Sequence, residues 1–379
     1  MGWPRVLRNW ILGSLVGVCL LTVTSPIFLR SYQTRQIDPI RGVLVLETGT
    51  HYRWRSEGYA TTTIGPLGMP GQNRYRSKID PVPGNINQPA DARVADRQVI
   101  LWGDSQLEGV CVADRDKIAP QVLGQSRGRI NALPFASSGD NCNDWLFQIR
   151  HLESLDPAAG QTAPAVDAHV FLVTEISDWT VPVERRLEFA LRPGERVFDR
   201  VSAVVIQAAR NLWQDPLTGQ RRRLRFMPCW NSTADRGELL TSGRADSKGS
   251  FGERTDWLAK QLAELNTINK QPCCFVYAPK SPAIIEGQLK SADDWAAEFV
   301  VFRAICDRYG WAVVDLRDLM QQSVAQGAWP RGFDNGQFGV GHYNQLGNQI
   351  IAQAIVEQLE TELFSQAVNT QAVNTQAKD

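Results

Sequence analysis

Between Val99 and the end of the chain, five short apolar runs alternate with stretches of helical spacing, and nothing else in the sequence constrains the fold as strongly. The runs are "VILW" at Val99–Trp102, "INALPF", "AHVFLVTE", "CCFVYAP" and "WAVVDLRDL". They are rich in β-branched and aromatic residues and bounded by turn residues, as expected of strands buried in a sheet. Between them, "DKIAPQVLGQ", "CNDWLFQIRHLESL", "TDWLAKQLAELNTI", "ADDWAAEFVVFRAICDRYG" and "YNQLGNQIIAQAIVEQLETEL" carry apolar residues at helical intervals. Strands alternating with helices predict an α/β fold in which a parallel sheet is covered on both faces. Ligands in such sheets sit beyond the carboxyl ends of the strands. Ser105, the turn "SSGDN" at Ser137–Asn141 and "EISDW" at Glu175–Trp179 all follow strand ends, so three polar turns converge on one edge.

The rest of the chain reads as additions to one substantial domain, since 379 residues with 43% hydrophobic content can bury a large core. Lysine plus arginine equal aspartate plus glutamate at 40 each, so no overall field attracts a polyanion and nucleic acid is not an expected partner. Residues 1–9, with Arg5 and Arg8, precede a charge-free stretch from Trp10 to Leu29 that is long enough for a single membrane-spanning helix. The alternative is a cleaved signal peptide. Either way the remaining chain is expected outside the cytoplasm. A small β-rich lead-in with its Pro/Asn/Asp-rich linker spans 37–97, and the main domain spans 98–365. Within it, 181–254 is an arginine-rich insertion that includes Arg221, Arg222, Arg223 and Arg225 and is expected to cap the functional edge. The tail 366–379, with its repeated QAVNT, is expected to be disordered. Six cysteines lie outside the apolar N-terminal stretch, but their spacing reveals no disulfide framework, and without a CxxC pair or His/Cys cluster neither a metal nor a cofactor is expected.

"GDS" after the first strand, a glycine-containing turn after the second, a polar turn after the third and a histidine before the last helix resemble the four sequence blocks of the SGNH/GDSL hydrolase superfamily. The resemblance covers about Arg97 to Phe364. It implies a three-layer sheet with flavodoxin-like strand order and an ester-cleaving site. Block by block, Ser105 matches the nucleophile, Gly139 the glycine whose backbone N–H helps bind an oxyanion, and His342 the general base. A serine hydroxyl is a weak nucleophile until a base takes its proton, and histidine takes and returns a proton near neutral pH. Backbone N–H groups at Ser105 and Gly139 would stabilise the tetrahedral oxyanion.

Two positions depart from the family's pattern. Where the third block usually carries an asparagine donor, this chain has Ser177; its hydroxyl, or the side chain of Asn141 or Asn143, is the candidate replacement. Three residues before His342 stands Gly339 instead of the usual aspartate; Asp334, or a backbone carbonyl, is the candidate to orient the imidazole. Trp179, beside the third turn, is the candidate platform for a sugar ring. The resemblance implies small acyl esters as substrates, and an extracytoplasmic location suggests O-acetyl groups on glycans. Hydrolysis and acyl transfer share every step up to the acyl-enzyme. A glycan-binding protein that keeps the fold without turnover is the alternative, with Gly339 and Ser177 as its best evidence.

Overall fold

The computed structural model describes residues 3–28, 35–71, 95, 97–155, 163–181 and 249–363. Helix α1 (Trp3–Phe28) is followed by two antiparallel pairs, β1 (Arg35–Asp38) with β2 (Val43–Leu46) and β3 (His51–Arg53) with β4 (Thr61–Thr63). The main domain then runs through β5 (Arg97–Gly103), α2 (Ser105–Glu108), α3 (Ile118–Gln125), β6 (Ile130–Ala136), α4 (Cys142–Ser154), β7 (Ala168–Val173) and α5 (Ser177–Thr180). It continues with α6 (Phe251–Ile268), β8 (Cys273–Tyr277), the hairpin β9 (Ala283–Ile285) and β10 (Gln288–Lys290), α7 (Ala296–Arg308), β11 (Ala312–Asp315), α8 (Arg317–Ala325) and α9 (Gln345–Gln358).

Five strands form one parallel sheet in the order β11-β8-β7-β5-β6. Counted along the sheet's own strands this is the flavodoxin-like order 2-1-3-4-5, whose chain reverses direction of growth between the first and third strands, here β5 and β7. The two-residue period of a strand separates the core into two halves. Val99, Leu101, Val170, Leu172, Cys274 and Val276 pack with Val122 of α3 and Ile351 of α9 on one face. Ile100, Trp102, Phe171, Val173, Phe275 and Tyr277 pack with Trp145 of α4, Leu262 of α6 and Phe302 of α7 on the other. Both faces are therefore covered, as the continuous apolar runs require.

The lead-in is fixed to this domain by a third apolar cluster, in which Leu46, Tyr52, Trp54 and Ile64 meet Val110, Cys111 and Val112 after α2, with Phe333 packed beside them. Polar contacts reinforce the seam. The ammonium of Lys117, 2% exposed, donates to Thr62 Oγ1 at 3.0 Å and to the carbonyl of Gly109. Asp114 Oδ2 accepts from the Thr63 N–H at 3.0 Å. Arg41, 1% exposed, donates to Gln148 Oε1 at 2.9 Å and lies 4.4 Å over the Phe135 ring.

Other expectations need correction or fall elsewhere. α1 covers most of the proposed anchor, yet among the described residues no helix is long and apolar enough to cross a membrane. The side chains of 21–28, and Leu29 altogether, lie outside the described residues. Nearly all of the linker and the insertion and all of the tail 366–379 lie outside the described residues, as does Cys229. No disulfide joins the described cysteines, and Cys111, Cys142, Cys273, Cys274 and Cys306 are buried.

Candidate active site

β5 ends at Gly103, and Asp104 caps the following turn of helix by accepting a 2.9 Å hydrogen bond from the Gln106 N–H. Ser105 is thereby the first residue of α2, half-buried at the carboxyl end of a central strand. Gly103 pairs with Ala136, the last residue of β6, so the turn that carries Gly139 leaves the sheet one strand spacing away, about 4.8 Å. Gly139 is exposed and adopts φ +85°, a left-handed conformation in which glycine lacks a Cβ penalty. On the other side of β5, β7 delivers Glu175 and Ser177 to the same edge, and β8 delivers Lys280.

His342 reaches this edge from the loop before α9. Gln106, the neighbour of Ser105, holds that loop from both sides: its Oε1 accepts from the Tyr343 N–H at 3.0 Å, and its Nε2 donates to the Gly341 carbonyl at 3.4 Å. Buried Arg331 donates to the carbonyls of Lys280 and Gly341, joining the β8 turn to the same loop. Ser105 and His342 are thus brought to one edge by a short network of hydrogen bonds, although no hydrogen bond joins the hydroxyl to the ring. Catalytic hydrogen bonds are often formed only when substrate binds.

The acid that orients His342 is Glu57, from the loop between β3 and β4. Its Oε1 pairs with His342 Nδ1 and its Oε2 accepts from the His342 backbone N–H at 3.2 Å, with the two side chains only 12% and 18% exposed. Burial alone would raise the Glu57 carboxyl, but the hydrogen bonds and charge of His342, with Arg331 nearby, hold it below the ordinary value. Trp54 packs edge-on to the imidazole at 6.3 Å between ring centroids. Gly341 makes the approach possible: a Cβ there would lie 1.9 Å from Glu57 Oε2.

This replaces the expected role of Asp334, which is exposed and makes no contact with the ring. The absence of aspartate at position 339 is explained as well. Gly339 has φ +74°, and a Cβ would meet Trp329 at 2.8 Å and the Ile284 backbone nitrogen at 3.0 Å, so the fold has no room for an acidic side chain there.

Two further expectations are corrected, those for Ser177 and Trp179. The Ser177 hydroxyl donates to Glu175 Oε2 at 3.3 Å, and Glu175 is ion-paired with Lys280, so Ser177 is tied to its own turn. Asn141 is the N-cap of α4: its side chain accepts from the Asn143 N–H at 3.0 Å while Asp144 accepts from the Asn141 N–H at 3.1 Å. That capping box engages the side-chain oxygen and not the Nδ2 amide, the group that would donate to an oxyanion. Trp179 is 0% exposed, packed against Trp145, Phe171 and Phe275 at centroid distances of 5.5, 5.6 and 5.7 Å. It is a core residue and cannot stack on a substrate. Trp179→Ala is expected to destabilise the domain by about 3–5 kcal/mol; a guanidinium unfolding midpoint that hardly moves would contradict that placement.

Two carboxyls, Asp104 and Asp178, stand at this edge. Burial raises the Asp104 carboxyl, with the Gln106 N–H, His342 and Lys280 acting against the rise. Asp178 is pushed up by burial and then by Asp104 and Asp140. Burial and the charge of Arg331 lower the Lys280 ammonium to about 8, opposed by Asp104.

No family model matches the chain, and no curated protein matches it. Solved structures resemble it loosely. An acetylxylan esterase from Geobacillus stearothermophilus, solved as a catalytic mutant, is similar at TM-score 0.38 and 11% identity, over 71% of this chain and 96% of the other. An alpha/beta hydrolase from the metagenome of Lake Arreo, Spain, is similar at TM-score 0.36 and 12% identity, over 70% and 95%. A carbohydrate acetylesterase from Sinorhizobium meliloti is similar at 0.35 and 10%, over 70% and 98%. Likeness this loose leaves the functional reading to the residues of the site.

Proposed function

We propose that the protein is a serine ester hydrolase of the SGNH type, in which Ser105 is the nucleophile, His342 the general base and Glu57 the residue that orients the base. The observation that carries this reading is the buried Glu57–His342 pair, held beside Ser105 by Gln106. With Nδ1 bonded to the carboxylate, Nε2 is left as the basic nitrogen. In the reaction, Ser105 Oγ bonds to the acyl carbon as its proton passes to Nε2. The carbonyl π electrons move to oxygen, where the N–H groups of Ser105 and Gly139 receive the charge. When that pair returns, the C–O bond to the alcohol breaks and the alcohol leaves with the proton from Nε2. Water then repeats the sequence on the acyl-enzyme, releasing the acid and free Ser105.

The resemblance of the four sequence blocks to the SGNH/GDSL superfamily supports small acyl esters, O-acetyl groups on glycans among them, and transfer of the acyl group to a sugar hydroxyl uses the same acyl-enzyme. The test is to treat the folded protein with a fluorophosphonate and read intact mass and peptide maps. One adduct, on the Ser105 peptide, is the expected result; a folded protein that forms none would move the reading to glycan binding without turnover.

The proposed site of action is outside the cytoplasm, behind an N-terminal anchor or after signal cleavage. Support comes from the charge-free sequence Trp10–Leu29 and from the exposed apolar side chains of α1, such as Trp10 and Leu12. Protease added to intact cells of the producing organism should digest the main domain; full protection with the envelope permeable to the protease would overturn this.

A further inference from the structure

Glu57 sits in a loop and needs something to fix it, and the side chain of Asn335 meets the main chain on both sides of it. Asn335 Nδ2 donates to the Ser56 carbonyl at 2.8 Å, and Asn335 Oδ1 accepts from the Gly58 N–H at 2.9 Å. A carbonyl needs a donor and an N–H needs an acceptor, so an amide satisfies this pair of groups where a carboxylate or an apolar side chain would not. The contact spans the peptide groups on either side of Glu57. It leaves Gly58 at φ +71°, where a Cβ would lie 2.0 Å from the Cys111 carbonyl, so this stretch of loop is seated directly on the segment after α2.

The other end of the arrangement is tied to His342. The Gly332 N–H donates to the His342 carbonyl at 3.0 Å, and Gly339 N–H donates to the Arg331 carbonyl at 2.9 Å, closing residues 331–342 into a loop. Asn335 projects from that loop onto Glu57, while His342 ends it. One loop therefore holds the base through its backbone and the acid through an amide.

We infer that Asn335 is a positioning residue for catalysis, which fixes the Glu57 carboxylate against His342 Nδ1. This rests on the proposed Ser105–His342–Glu57 site. Its action runs through Glu57, so removing the amide matters only while the carboxylate is present. Without it, Glu57 samples other placements and the base is correctly oriented for a smaller fraction of the time.

The experiment is a double-mutant cycle of Asn335→Ala and Glu57→Ala, read by kcat and KM for p-nitrophenyl acetate and by the rate of fluorophosphonate inactivation. Asn335→Ala alone should lower kcat about tenfold or more with KM nearly unchanged, because the loss is in orientation of the base. In the Glu57→Ala background the same change should cost nothing further. Asn335→Asp, which keeps an acceptor for the Gly58 N–H but loses the donor to Ser56, should also be impaired. Thermal unfolding of each variant separates these effects from misfolding. Full activity in a folded Asn335→Ala protein, or equal losses with and without Glu57, would overturn the inference while leaving the proposed function intact. Wild-type protein inert towards both reagents would instead refute the proposed function.

Discussion

Ser105→Ala is expected to reduce p-nitrophenyl acetate turnover by about 10⁴-fold or more and to abolish the fluorophosphonate adduct. The change should leave the fold intact, since the Asp104 side chain, and not the serine hydroxyl, caps α2. His342→Ala should fall to a similar level. A Ser105→Ala/His342→Ala double variant should be no slower than either alone, because the two groups act on the same proton transfer and removing one idles the other. What activity survives reports the oxyanion donors and substrate binding. A loss smaller than about tenfold in folded Ser105→Ala protein would show that another group attacks the ester.

Glu57→Gln is the second large effect, with kcat expected to fall by about 10³-fold. The amide keeps the volume of the carboxyl but loses its charge, and it can present an N–H toward Nδ1. A ring that accepts that bond carries its proton on Nε2, where it cannot take one from Ser105. Asp334→Asn serves as the control and should change kcat by less than about twofold, as expected for an exposed side chain away from the ring. The pH dependence follows from the direction of the Glu57 shift. A carboxyl held below its ordinary value stabilises the folded protein above the unfolded value and loses that contribution as pH falls through its lower, folded value. Glu57 is therefore ionised across the neutral range, and the Glu57→Gln deficit should be present throughout about pH 6–8. Steady-state rates over that range check it; a deficit confined to one end would mean that Glu57 titrates there.

The two effects bear differently on the lead-in. If Glu57 is the orienting acid, the β3–β4 pair is part of the site, and its seam with the main domain matters to activity as well as stability. Thr62 and Thr63 are bound by Lys117 and Asp114 within a few residues of Glu57. The lead-in drawn from sequence as a separate addition is, in packing, continuous with the segment that follows α2.

The sequence alone determined the periodic features. Short apolar runs alternating with helical spacing dictate a two-sided parallel sheet, and the five strands form where those runs lie, because burial on both faces leaves a local mark on every residue of a strand. Ser105 and His342 were legible for the same reason, each beside an element whose end the sequence marks. The β9–β10 hairpin and α8 carry no such strong periodicity and were not foreseen. Only the tertiary structure decided that Trp179 points into the core, since a residue after a strand end has no local signal for its direction. Only it found the partner of His342. Glu57 is 285 positions away and one of 40 acidic residues, and nothing near it in sequence sets it apart. Its contact with His342 exists because Leu46, Tyr52, Trp54 and Ile64 bury the lead-in against the segment after α2, while Gly341 leaves no side chain in the carboxylate's way. Packing between segments remote in sequence is written in no single stretch of either one.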